Sequence, residues 1–329
     1  MKNIFVSGGA GYIGSVCVEQ LLNQGYEVAI YDNLSEGHRR AVDSRAQFFE
    51  GDLGDVQTLH RVMERVRPDA VMHFAANALV GESMIHPTKY FRNNVASGIN
   101  LLEGMVRFDV QRIVFSSTCA IFGIPERVPI DETLPPNPIN PYGESKLLFE
   151  RILRWYSDLH GLVAVSLRYF NAAGASEKFG ENHRIETHLI PNIFKVALGQ
   201  KEALEIYGTD YPTPDGTCIR DYIHILDLAQ AHILALQAPA TAQYNLGTGG
   251  GASVRQILDC CQEVTGKSIP AVEKPRRPGD PPVLIASSKK IQTELGWTPH
   301  YNDLPSIIGS AWAWHTRFPC GYQNSGSFK

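Results

Sequence analysis

The sequence contains no apolar run approaching the length that spans a bilayer, and its N-terminal apolar stretch, Ile4-Phe5-Val6, is too short for a signal peptide. Cysteine is sparse. Cys17, Cys119, Cys218, Cys260, Cys261 and Cys320 form no Cys-x-x-Cys pair and no Cys/His cluster, so neither a zinc site nor a disulfide framework is expected. His183, His224 and His232 lack a metal-ligand partner at suitable spacing and are read as helix, loop or core residues; no metal is expected. An excess of one charge is also missing. The net charge of −4 gives no electrostatic basis for nucleic acid or an acidic membrane surface. These absences point to a cytoplasmic protein with reduced cysteines. What the chain does have is 43% hydrophobic residues in 329, enough for one large α/β unit or for a large and a small lobe.

The first strong pattern is Ile4-Phe5-Val6 feeding into Ser7-Gly8-Gly9-Ala10-Gly11-Tyr12-Ile13-Gly14, followed by Ile13, Val16, Cys17, Leu21 and Leu22 at helical spacing. A strand, a glycine turn and a helix in that order make a phosphate cradle: glycines let the backbone approach a pyrophosphate, and the helix N-terminus faces its charge. The glycines Gly8, Gly11 and Gly14 read G-x-x-G-x-x-G. Val28-Ala29-Ile30-Tyr31 supplies a second strand ending at Asp32, 18 residues after Gly14. An acid there can accept hydrogen bonds from an adenosine ribose and would repel a 2′-phosphate, which favours NAD over NADP. Asp52, in Gly51-Asp52-Leu53, could meet the adenine edge or cap the helix around Thr58–Arg65. The alternation continues through the Ala70–Ala76 strand, a helix around Asn94–Phe108, and the Arg112–Phe115 strand with Ser116-Ser117-Thr118 at its end. Together these predict an α/β fold with a doubly wound parallel sheet, its ligands at the strand C-terminal ends.

The second strong pattern is Asn140-Pro141-Tyr142-Gly143-Glu144-Ser145-Lys146. Pro141 suits the first helical position and Asn140 the cap, so a helix begins here with Tyr142 and Lys146 four residues apart on one face. An ammonium beside the phenol, like the positive ring of an oxidised nicotinamide, would favour the phenolate of a group that ionises near ~10. Thr118 offers a hydroxyl that can share the proton. After this helix, Val163–Arg168 reads as a strand and Tyr169–Gly174 as a loop. Beyond it the pattern becomes irregular, with a helix near Leu189–Leu198 and another over Ile223–Leu236 returning to the large domain.

Taken together, Gly8–Gly14, Asp32-Asn33-Leu34-Ser35, His73-Phe74-Ala75-Ala76, Ser116-Ser117-Thr118, Tyr142/Lys146 and the long segment Ile206–His224 resemble the extended short-chain dehydrogenase/reductases and, within them, the UDP-glucose 4-epimerase family. The resemblance runs from residue 1 to about Pro299. It implies a Rossmann-type domain over 1–172, with 218–240 returning to it, and a smaller C-terminal lobe over 173–217 and 241–329 that binds a nucleotide sugar. It implies tightly bound NAD, UDP-glucose and UDP-galactose as substrates, a transient 4-keto sugar, and a homodimer; the apolar faces of the helices near Ala96–Phe108 and Leu147–Tyr156 could pair two subunits or could pack on the sheet.

Residue by residue, the resemblance makes Tyr142, Lys146 and Thr118 catalytic. It puts Gly8, Gly11, Tyr12, Ile13, Gly14, Asp32, Asn33, Ser35, Asp52, Leu53, Phe74, Ala75, Ala76, Asn93, Tyr142, Lys146 and Phe170 on the cofactor; at the asparagine, the adjacent Asn94 fits the pattern as well. It puts Thr118, Tyr142, Asn171, His188, Leu189, Glu205, Ile206, Tyr207, Arg220, Arg277, Asp280 and Leu284 on the substrate. Two arginines suit a diphosphate through forked hydrogen bonds. Arg276 and Arg277 are chemically equivalent, and spacing to Gly279-Asp280 selects Arg277. The chain departs from the family pattern at Asn77-Ala78, where a lysine or tyrosine contact to the cofactor is common. Leu284, intermediate in size at a position that gates N-acetylated sugars, leaves UDP-N-acetylglucosamine as an alternative substrate. A 4,6-dehydratase would need Asp-Glu after Thr118, where this chain has Cys119-Ala120, and a binding protein without catalysis would not need an intact Tyr/Lys/Thr set.

Overall fold

The structure is a computed structural model that describes residues 1–277 and 279–322; the expected small lobe extends to residues 323–329, which lie outside the described residues. The chain begins with strand β1 (Asn3–Ser7), helix α1 (Tyr12–Asn23), β2 (Glu27–Asp32), β3 (Gln47–Glu50), α2 (Val56–Val66) and β4 (Ala70–His73). Short helices α3 (Val80–Ile85) and α4 (Pro87–Tyr90) lead through a π-helical turn, Phe91–Ala96, into α5 (Ser97–Arg107), then β5 (Arg112–Thr118), α6 (Pro141–His160) and β6 (Val163–Tyr169).

Strand order in the main sheet is β11-β6-β5-β4-β1-β2-β3, all parallel, with β11 spanning Ala242–Leu246. The order reverses between β1 and β4, so a crevice opens at their C-terminal ends, where an open α/β sheet binds its ligands. Strand alternation divides the core. Ile4 and Val6 pack on one face with Val18 and Leu21 of α1, while Phe5 packs on the other with Leu59, Leu101, Met105, Phe149 and Leu153. Both faces are buried, which is why these strands read as unbroken apolar runs.

The second half is built from short pieces. Asn171–Ala173, read as loop from the sequence, is a strand (β7) paired in parallel with β10 (Tyr222–His224). Helix α7 (Leu189–Ala197) precedes β8 (Leu204–Tyr207), and β9 (Ile219–Arg220) lies between β12 (Ala252–Ser253) and β14 (Val283–Leu284). Helix α8 (Ile225–Ala235) returns to the large domain and packs on the α1 side of the sheet. The chain continues through α9 (Val254–Thr265), β13 (Ala271–Lys274), paired with β8, then α10 (Lys289–Leu295) and α11 (Leu304–Arg317). One boundary differs from expectation: Ala242–Leu246, read as part of the small lobe, is the edge strand of the main sheet, in register with Val165–Tyr169. Its apolar residues Tyr244 and Leu246 join the large core.

Candidate active site

Helix α1 starts at Gly11 with no side-chain cap and no acid in its first turn, so its leading amide donors face the crevice available to an anion. The loop before it is tight. Gly8 has φ +80° and a side chain there would lie 2.4 Å from the Ala75 nitrogen; a side chain on Gly14 would lie 2.2 Å from the Gly8 carbonyl. Asp32, at the end of β2, is buried and accepts from the Ala10 amide at 2.9 Å and the Leu34 amide at 2.8 Å. Burial raises its pKa, and those amide bonds oppose the shift.

Asn33 Nδ2 donates to Asp52 at 2.6 Å, which joins the ends of β2 and β3. The cap of α2 is Asp55, which accepts from the Thr58 amide; this removes the capping role considered for Asp52. Asn33, Ser35, Asn77 and Asn93 line a cleft of about 370 Å³ beside this loop. Leu53 is buried and Phe74, Ala75 and Ala76 are half-buried, with the Phe74 and Ala75 amides donating to the Ser7 carbonyl at 2.9 and 3.1 Å. Uncapped amides, an acid at the second strand and a groove between them fit a dinucleotide.

Asn93 stands on the cleft, but its neighbour Asn94 is the buried one. Asn94 holds both the Asn77 amide and its carbonyl, at 2.8 and 3.0 Å, and donates to Ser145 on α6 at 3.0 Å. The π-helical turn sets this inward direction, which a regular helical reading of the sequence does not reveal.

Helix α6 starts as expected: Asn140 Oδ1 accepts from the Gly143 amide at 2.8 Å and Pro141 sits in the first turn. Gly143 is needed there, since a side chain would lie 2.5 Å from the Ala120 carbonyl. This contact seats the helix against the turn that follows β5. Tyr142 packs edge-on to Tyr90, with ring centroids 6.4 Å apart, and its hydroxyl interacts with Thr118. Lys146 Nζ donates to the Ser116 carbonyl at 2.8 Å and lies 4.9 Å above the Phe115 ring.

The electrostatics differ from the sequence reading. Desolvation pushes the Tyr142 phenol up to about 12, opposed by the Thr118 hydroxyl, even though the residue keeps a partly open face. Desolvation pulls Lys146 down to about 7, opposed by the Glu150 carboxylate. Burial thus outweighs what a neighbouring ammonium contributes at the phenol. Lys146 is held by a main-chain carbonyl and a ring, and burial dominates both groups.

Of the expected sugar-nucleotide residues, Thr118 and Tyr142 stand on the sheet lobe, while Arg220 with Asp280 and Arg277 with Tyr207 and Glu205 form two groups on the facing lobe. Arg220 pairs with Asp280 and donates from Nη1 to the Ile219 carbonyl at 2.7 Å. The two arginines considered at 276 and 277 separate: Arg276 binds Asp210 at 2.7 Å, while Arg277 lies exposed over the Tyr207 ring at 4.2 Å. Tyr207 donates to Glu205 at 2.9 Å. Ile206 is core, leaving only its main chain for a ligand, and Leu284 packs with Ile121, Leu147 and Phe170 in an apolar cluster. Asn171 is half-buried on β7, and Leu189 is half-buried at the start of α7.

Two sets of residues were not anticipated. Asp221 is fully buried and accepts from the Thr248, Gly249 and Ala286 amides and the Thr248 hydroxyl, so the acid beside Arg220 ties its own segment to two loops, at 248–249 and at 286. His183 does have partners: Glu181 Oε1 lies 3.2 Å from its Nε2 and also pairs with His188 Nδ1, and the three donors lie within 4.8 Å of one another. This corrects the reading that His183 lacks a metal-ligand neighbour, because three positions spread over eight residues of loop converge in space. The Glu181 carboxylate raises the pKa of the exposed His188 to about 9, through its charge and the hydrogen bond. His224 caps α8 and His232 is buried in the core, as expected.

The sequence profile of the NAD dependent epimerase/dehydratase family matches residues 4–247. The chain is 51% identical over 325 residues to a UDP-glucose 4-epimerase of Lacticaseibacillus casei, covering 97% of this chain and 98% of that one. It superposes with a TM-score of 0.96 on a crystal structure of a UDP-glucose 4-epimerase, at 48% identity, covering 98% of this chain and 100% of that one. A Bifidobacterium longum UDP-glucose 4-epimerase solved with NAD+ and UDP superposes at 0.93 with 37% identity, covering 97% and 100%. Its glycine cradle, its Tyr142–Thr118–Lys146 set and these matches agree: the chain belongs to the NAD dependent epimerase/dehydratase family and, within it, to the UDP-glucose 4-epimerases.

Proposed function

We propose that the protein interconverts UDP-galactose and UDP-glucose, with Tyr142 as the proton-transferring group. The observation that carries this is Tyr142 at the first turn of α6, its phenol beside the Thr118 hydroxyl at the C-terminal end of β5, on the crevice that the glycine loop lines. Bound NAD would supply the hydride acceptor and donor and a positive ring near the phenol. Gly8, Gly11, Tyr12, Ile13 and Gly14 would hold its pyrophosphate, Asp32 the adenosine ribose, and Asn33, Ser35, Asp52, Leu53 and Asn93 the adenosine end. Phe74, Ala75, Ala76, Phe170 and Lys146 would border the nicotinamide end. Asp32 selects against a 2′-phosphate through like-charge repulsion and the desolvation cost such a group would meet.

In this reading Tyr142 takes the proton from the sugar hydroxyl at carbon 4 and later returns it, with Thr118 sharing the hydrogen bond. Arg220 and Arg277 grip the diphosphate, for which Arg220 gives up Asp280 as its partner and Asp280 turns to the uridine ribose. Asn171, His188, Leu189, Glu205, Ile206 and Tyr207 complete the nucleotide site. The protonated His188 adds a positive charge at the N-terminus of α7, where an anion is already favoured. The 4-ketose must turn over between the two half-reactions, and a grip confined to the nucleotide end leaves the hexose free to do so. Among the described residues no helix is long and apolar enough to cross a membrane, consistent with a cytoplasmic enzyme.

The assay is direct: purified protein, given UDP-galactose and no added NAD, should form UDP-glucose from its own bound cofactor. Absence of interconversion by protein that carries NAD would overturn the assignment.

A further inference from the structure

Glu150 lies on α6 one turn beyond Lys146 and two beyond Tyr142, so all three share one face of the helix. It is 6% exposed. Its carboxylate accepts from Arg168 Nη2 at 2.6 Å, from Arg168 Nε at 3.0 and 3.2 Å, and from the Ser117 hydroxyl at 2.5 Å. A buried ion pair is a poor source of net stability, because desolvation of both charges offsets their attraction and apolar replacements often serve as well. Its place under the reaction centre therefore points to a second role.

Connectivity supplies one. The Ser116 carbonyl holds Lys146, the next residue donates to Glu150, and the next after that, Thr118, interacts with Tyr142. Glu150 thus anchors the middle of a three-residue strand end whose outer members touch the two reactive groups. Its charge also acts on Lys146. The groups around that ammonium are Glu150 on its own helix, the Ser116 carbonyl and the Phe115 ring of β5, and His73 of β4. His73 is neutral, pulled down to about 3 by burial, so Glu150 is the one anion in this set.

We propose that Glu150 is a positioning residue of the epimerisation: through Ser117 it fixes the 116–118 strand end against α6, and so sets both the Ser116 carbonyl that holds Lys146 and the Thr118 hydroxyl beside Tyr142. This rests on the roles given above to Tyr142 and Lys146. Because burial already lowers Lys146 to about 7, removal of the anion moves it further down, and the fraction charged at neutral pH falls.

The test uses Glu150→Gln, Glu150→Asp, and the double variant Glu150→Gln with Arg168→Met, which leaves no buried guanidinium without its carboxylate and reports if the single variant does not fold. In cofactor-free protein, the Lys146 Cε resonance, assigned by its loss in Lys146→Met, should titrate at lower pH in both Gln variants. In the NAD-loaded enzyme kcat should fall by about 100-fold with KM for UDP-galactose little changed, and its alkaline limb should shift downward by the same interval as the resonance. Glu150→Asp should recover part of both. An unchanged Lys146 midpoint and an unmoved alkaline limb, with or without loss of rate, would reduce Glu150 to a packing residue and overturn the proposal. A wild-type enzyme inactive on UDP-galactose would instead overturn the epimerase reading, leaving the resonance shift as a separate result.

Discussion

The two halves of the molecule place their functional groups by different means. In the sheet lobe the placement comes from the backbone: Gly8 and Gly14 are hemmed in by main-chain atoms, Asp32 is tied to two amides, and Tyr142 is set by a capped helix seated on the Ala120 carbonyl. In the facing lobe it comes from side-chain ion pairs. Arg220 with Asp280, Arg276 with Asp210 and Lys274 with Glu205 hold positions that short strands of two to four residues could not fix alone. The first kind of site is rigid before any ligand arrives. The second can exchange a protein partner for a ligand, as Arg220 would when a diphosphate enters.

This contrast predicts where substitutions will act. Tyr142→Phe should have the largest effect, lowering turnover by roughly 10²- to 10⁴-fold while UDP binding and NAD content stay near wild type, measured by steady-state kinetics and UDP titration. A variant that keeps most of its rate would remove the phenol from the chemistry. Gly14→Ala should come next. The added carbon meets the Gly8 carbonyl, so the protein should lose about 1–3 kcal/mol of stability and most of its bound NAD, read by denaturant unfolding and by cofactor released on denaturation. Full NAD content in that variant would mean the dinucleotide does not use this loop.

Arg220→Ala breaks the other kind of site. UDP affinity should weaken by about 10- to 100-fold, the scale of one charged hydrogen-bonding group, with the stability of the sheet lobe little changed. Equal affinity for UDP would show that the diphosphate lies elsewhere. Trp155→Glu should have the smallest effect on catalysis. The inner faces of α5 and α6 pack on the sheet through Leu101, Met105, Phe149 and Leu153, yet Trp155 is 64% exposed and Leu159 is 70% exposed on α6. A second copy of the chain pairing through the same helices would cover these outward residues. Sedimentation should show a dimer for the natural chain and a monomer for Trp155→Glu, with turnover altered by less than about threefold; a natural chain that sediments as a monomer would refute the dimer.

The same contrast explains what could be read from the sequence. The cradle, Asp32 and the Tyr142 helix were legible because each is a local pattern: a strand into glycines into a helix, an acid at the next strand end, a cap followed by proline. Arg277 was separable from Arg276 by spacing, and the structure gives the two different partners. Less legible were the features made by distant pairing. Strand β9 bonds to β12 and β14, and β11 joins the main sheet beside β6, so neither the small-lobe boundary nor the role of Asp221 follows from neighbouring residues. The choice between Asn93 and Asn94 was left open because a π-helical turn sets which of them points inward, and the His183–Glu181–His188 contact was hidden by loop closure. The desolvation of the phenol was not legible for another reason: spacing along a helix brings charges together but says nothing of how deeply they are buried.

The most direct measurement is a crystal structure of the protein as purified, soaked with UDP-glucose. It should show a dinucleotide with its pyrophosphate on the Gly8–Gly14 loop and the Tyr142 hydroxyl about 2.6–3.2 Å from the sugar's 4-hydroxyl. A glycine loop without a dinucleotide, or a Tyr142 hydroxyl turned away from the hexose, would contradict the account.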